Sequence, residues 1–103
     1  MARNLKFKAS TSPDVVKYKL YVSEVPEEVG YDSESVDLDN QPDADNYIVV
    51  NLAELSIMTT KDGIYNLGVT AVDDAGNESS MSKAADVPLD FVAPEPPGAL
   101  EIF

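Results

Sequence analysis

Residues 65–82 read Tyr-Asn-Leu-Gly-Val-Thr-Ala-Val-Asp-Asp-Ala-Gly-Asn-Glu-Ser-Ser-Met-Ser. From Ile64 to Val72 the side chains alternate, the two-residue period of a strand that buries one face. That period puts Tyr65, Leu67, Val69 and Ala71 together, facing a core. Asp73-Asp74-Ala75-Gly76-Asn77 then breaks the alternation with turn residues, and Gly76 is the one suited to positive φ. A strand that ends in so short a turn predicts an antiparallel neighbour, over Met81–Leu89.

The same period recurs toward the N-terminus. Leu5-Lys6-Phe7-Lys8-Ala9 alternates strictly and turns Leu5, Phe7 and Ala9 inward. Ser10–Asp14 is a turn cluster, and residues 16–22 alternate again with Tyr18, Leu20 and Val22 on one face. Tyr47–Leu52 is rich in β-branched residues and predicts a strand, but apolar residues occupy both parities and leave its inner face open. Residues 53–60 fit one helical turn or an irregular corner, and Lys61-Asp62-Gly63 a turn. Between 23 and 46 stand nine acids and no base, punctuated by Pro26, Gly30 and Pro42. That composition predicts a solvated connection, with a short strand at Val29–Tyr31 or Ser35–Leu38. About six short strands, with no helix of useful length and no internal repeat, predict an all-β fold, an antiparallel β-sandwich.

The 65–82 stretch resembles strand F, the FG turn and the entry to strand G of fibronectin type III domains, whose immunoglobulin-like sandwich carries Tyr-x-φ-x-Val-x-Ala-Val followed by Asp or Asn and a Gly. The Asp-x-x-Gly-Asn-Glu-Ser form is similar to bacterial members. Tyr18-x-Leu20-x-Val22 resembles strand C, and Leu5-Lys6-Phe7 resembles strand B with Phe7 where the family usually has Trp. Leu52 stands where the family keeps a leucine before the E–F corner. Ala93-Pro94-Glu95-Pro96-Pro97 followed by Leu100-x-Ile102 resembles the linker and strand A that open a further repeat. The resemblance implies a sandwich over 1–92 and a Pro-rich linker with a strand-A-like tail over 93–103. It also implies that Tyr65 ties the preceding corner through its hydroxyl.

At 103 residues the chain has the length of one domain, and 44% hydrophobic residues suffice for a core. Histidine and cysteine are absent, which excludes Ser-His-Asp and Cys-His catalysis, disulfides and the usual zinc sites. The net charge of −12 argues against nucleic acid and against anionic membrane surfaces. The charge is unevenly placed. Residues 1–20 hold Arg3, Lys6, Lys8, Lys17 and Lys19 against Asp14 alone, and nearly all the acids follow. No apolar run reaches the length of a membrane span, and the first residues carry no signal-peptide pattern.

Two acidic groups are candidate sites. Asp37, Asp39, Asn40, Asp43 and Asp45 offer the oxygen ligands that calcium takes. The Asp-x-Asp opening is that of an EF-hand loop, but Pro42 stands where that loop needs Gly and Ile48 where it needs Glu, which leaves an irregular site or a solvated loop. Asp73, Asp74, Asn77 and Glu78 form the second group, a binding loop at one end of the sandwich or a self-bonded turn. Calcium is the one cofactor these residues suggest. Paired carboxylates are the chemistry of glycoside hydrolysis, but so small a sandwich leaves little room for a cleft, so no catalysis is expected.

The expectation is a non-catalytic module for spacing, adhesion or protein docking, extracellular or on a cell surface as part of a larger bacterial protein. Its partners would be proteins or neighbouring repeats, with self-association through the C-terminal tail. An Arg-Gly-Asp triplet is absent. The alternatives are a standalone structural subunit of virion type that assembles through the tail, or a calcium- or carbohydrate-binding domain using Tyr21 and Tyr31.

Overall fold

The structure is a computed structural model and describes residues 4–55, 63–89 and 97–103. Among the described residues six strands follow one another: β1 (Asn4–Lys8), β2 (Val15–Glu24), β3 (Glu34–Asp39), β4 (Tyr47–Asn51), β5 (Gly63–Asp73) and β6 (Ser82–Leu89). Among the described residues the only helical turn is a 3-10 turn at Leu52–Glu54. β1 and β4 make a two-stranded antiparallel sheet, and the other four strands make a second antiparallel sheet in the order β3-β2-β5-β6.

Registers follow the alternation. Leu20 lies opposite Val36 on one side and Val69 on the other. β1 lies along β4 with Leu5 opposite Val50 and Phe7 opposite Ile48. The parity of β4, open in the sequence, is settled by burial: Ile48 and Val50 are buried and Val49 is exposed. Of the two positions predicted for a strand in the acidic connection, the second forms, as β3. Its alternation of Val36 and Leu38 with Ser35, Asp37 and Asp39 supplies an inner and an outer face, which 29–31 does not.

The sheets face each other across one core of Ala9, Tyr18, Leu20, Val22, Leu38, Ile48, Val50, Leu52, Tyr65, Leu67 and Leu89. Phe7 of the smaller sheet meets Tyr18 of the larger edge to face, with ring centres 5.1 Å apart. Tyr18 also ties a loop, because its hydroxyl accepts the backbone N–H of Ser10 at 2.9 Å. Tyr65 is 3% exposed, as expected of a core aromatic. The corner that its hydroxyl was expected to tie falls in 56–62, outside the described residues.

Two irregularities shape the larger sheet. Between Tyr65 and Leu67, β6 spends an extra residue opposite β5, and Asp86 takes a φ of 55° there. Asn66 holds this bulge: its Oδ1 accepts the Asp86 N–H at 3.0 Å, while its Nδ2 donates to the Glu27 carbonyl at 2.6 Å. The β5–β6 turn has Gly76 at φ 85°, as its sequence predicts.

Candidate functional site

Alternation assigns Lys19 and Tyr21 of β2, and Gly68, Thr70 and Val72 of β5, to the face of the larger sheet that looks away from the core. That face is nevertheless covered at its centre. Tyr21 is 3% exposed, Thr70 1% and Val72 6%. The connection between β2 and β3 supplies part of the cover. Tyr31 stands edge-on to Tyr21 with ring centres 5.8 Å apart, and its hydroxyl donates to the Ser79 carbonyl at 2.9 Å. Met81 covers Gly68 so closely that a Cβ added there would collide with its sulfur.

Glu78, itself an exposed residue, caps this cluster. Its Oε2 accepts hydrogen bonds from the Tyr21 hydroxyl and, at 2.6 Å, from Thr70 Oγ1. Partial burial opposes its charge, but the Thr70 and Tyr21 hydroxyls and the Lys19 ammonium outweigh that and hold the carboxyl below its usual value. Tyr21 moves the other way. Burial, then the hydrogen bond and negative charge of Glu78, push its hydroxyl up to about 12. The pair is therefore a neutral phenol donating to a fixed carboxylate at neutral pH.

The rest of the 73–78 group closes its own turn. Asp73 Oδ1 accepts the backbone N–H of Ala75 at 2.9 Å and of Asn77 at 2.8 Å, and Oδ2 accepts Asn77 Nδ2 at 3.0 Å. The Asn77 side chain and backbone donors hold the Asp73 carboxyl below its ordinary value. Asp74 is exposed and, with Asp73 and Asp14, forms the group of three carboxylates that converge within 4.8 Å among the described residues. Asp14 lies in the β1–β2 turn, far away in sequence, so spacing alone does not reveal this group.

The 37–45 group is spread out instead of drawn together. Asp37 and Asp39 point outward from β3, and Asp37 pairs with Lys17 at 3.1 Å. Asn40 Nδ2 donates to the Val15 carbonyl at 3.0 Å. Asp43 Oδ1 accepts the N–H groups of Asp45 and Tyr47 at 2.9 and 3.0 Å, while Asp45 is exposed. Asp43 thereby acts as a loop staple, around which Asn46 takes a φ of 66°.

Tyr21 and Tyr31 do not offer a paired flat platform to a sugar, because Tyr21 is buried under Tyr31. A cleft of about 580 Å³ is shallow and acid-walled, with Glu24, Glu27, Asp32 and Glu34 around Tyr65. No described helix is long and apolar enough to cross a membrane. The molecule is thus an all-β protein of two antiparallel sheets whose polar cluster is built from hydroxyls and one carboxylate. The chain matches no family model, no curated protein and no solved structure.

Proposed function

We propose that the chain is a non-catalytic, fibronectin-type-III-like module for spacing, adhesion or docking in a larger extracellular or surface protein. The observation that carries this reading is strand order. Immunoglobulin-like sandwiches set strands C, F and G in one sheet and B and E in the other. Here β2, β5 and β6 lie side by side in one sheet and β1 pairs with β4 in the other. The motif-bearing residues 65–73 fall on β5, between β2 and β6, which this reading takes as strand F. The polar cluster fits the same reading, since its carboxylate is engaged by two internal hydroxyls and fastens a loop to a sheet.

A spacer folds on its own and fixes a distance. Placing the chain between a fluorescent donor and acceptor is expected to give one narrow separation that persists until a single cooperative unfolding transition. A broad separation before unfolding, or failure of the chain to fold between the two reporters, would overturn the module reading.

A further inference from the structure

Among the described residues β1 is an edge of the smaller sheet. Among the described residues β1 is hydrogen-bonded to β4 alone, so its other edge offers a row of ladder groups to an incoming strand. Beside that edge lies a cleft of about 450 Å³ of mixed lining, with Phe7, Tyr18, Val69 and Ala71 beside Lys8, Thr70 and several serines. Phe7, Val69 and Ala71 pack against the core but are only half-buried. Among the described residues the interior is short of cover along this side.

Residues 97–103 carry the complement. Leu100, Ile102 and Phe103 are 94%, 101% and 115% exposed. Leu100-Glu101-Ile102 alternates apolar with acidic, and Leu5-Lys6-Phe7-Lys8 alternates apolar with basic. A strand pairing that sets Leu100 and Ile102 on the face of Leu5 and Phe7 therefore sets Glu101 on the face of Lys6 and Lys8. Both lysines already stand on that outer face, with Nζ 4.5 and 5.6 Å from the centre of the Tyr47 ring. Ala99–Phe103 also matches β1, Asn4–Lys8, in length.

The other edges fit an acidic strand less well. β3 presents Glu34, Asp37 and Asp39. β6 is broken by the bulge at Asp86 and by Pro88, features that blunt pairing. The groove beside β4 is flanked by Asp39 and Glu54.

We infer that residues 99–103 of one copy add as a strand to the β1 edge of a second copy, capping the cleft with Leu100 and Ile102. Backbone bonds supply the pairing, and the Glu101–lysine contacts supply the choice of edge. Donor and acceptor are different surfaces, so the contact is heterologous, and it closes when two copies exchange tails or when a ring of copies forms. The inference stands on edge, cleft and tail, whether or not the module reading holds.

Sedimentation velocity on the full chain, loaded at about 10 µM to 1 mM because so small an interface is weak, tests it. Association is expected to grow with concentration, to vanish in a chain ending at Pro97, and to be competed by a peptide of residues 97–103. Glu101→Lys alone, and Lys6→Glu with Lys8→Glu, should each weaken association by about two- to fivefold, and the three changes together should restore it. Thermal melts of each variant confirm that it is folded. A full chain that stays monomeric overturns the inference, with the tail either free or protected from hydrogen exchange on its own edge. So does association that survives removal of the tail.

Discussion

The molecule buries side chains in two places by two kinds of chemistry. Between the sheets the contacts are almost wholly apolar, and strict alternation puts them there. On the outer face of the larger sheet, Tyr21, Thr70 and Val72 are buried just as deeply, but under a loop, with a carboxylate in their midst. The inner cluster gains from each methylene removed from water and asks little of direction. The outer one holds only while each hydroxyl keeps its acceptor. Burial depth alone therefore does not say what a residue contributes. The two regions should respond to different perturbations.

The largest effect is expected in the inner core. Tyr65→Ala should cost about 3–5 kcal/mol in denaturant melts, as a large-to-small change in the core. A variant as stable as the parent would take Tyr65 out of the core. Glu78→Ala should cost less, about 1–3 kcal/mol, because it deprives two buried hydroxyls of their acceptor. Equal losses from the two substitutions would erase the contrast drawn above.

Proton linkage separates the regions more sharply, since the inner cluster has no carboxylate. The folded pKa of Glu78 lies below the ordinary glutamate value of 4.5, so its contribution is complete above that pH and is lost as pH falls through the lower folded value. For Tyr21 the folded pKa is raised from 10.0 to about 12, so its contribution is complete below pH 10 and is lost as pH rises toward 12. Tyr21→Phe should flatten the alkaline limb of a stability–pH curve and shrink the acid limb. An unchanged alkaline limb would detach Tyr21 from Glu78.

Smaller effects are expected at the surface. Lys17 and Asp37 are 40% and 58% exposed in their side chains, and neutralising either should change stability by less than about 1 kcal/mol. Calcium and magnesium at matched ionic strength are expected to raise the melting temperature of this −12 chain equally, by screening. A rise specific to calcium would point to oxygen ligands, and Asp14→Asn or Asp37→Asn would then tell the converging group from the acidic connection.

The inner core was legible because one periodicity governs it. Leu5, Phe7, Tyr18, Leu20, Val22, Tyr65 and Leu67 all face inward by alternation and all pack in or against the core. β4 was ambiguous because Tyr47, Ile48, Val49 and Val50 are apolar at both parities, and only pairing with β1 chooses between them. The outer cluster was hidden for a different reason. Its members come from β2, the 25–33 connection, β5 and the β5–β6 turn, and no local pattern joins Tyr21 to Glu78. The signals present were an aromatic at the outward parity of β2 and a glycine, Gly68, at the outward parity of β5 where Met81 needs space. The acidic groups read two ways in sequence, as ligands or as solvated and self-bonded loops. Asp43 and Asp73 each set one oxygen, Oδ1, against two nearby backbone N–H groups, a local geometry that spacing does not reveal.

The two-stranded sheet has a mechanical consequence. A pull applied between residue 4 and residue 103 enters the folded part through β1, which is held by five residue pairs to β4 and by nothing on its other side among the described residues. β5, by contrast, is gripped by β2 and β6 at once. Two strands alone make a weak ladder, so β1 is the segment that peels first under tension. A third strand laid along it would turn the weakest grip into a shared one. The load a string of such molecules bears would then be set by how many β1 edges are occupied.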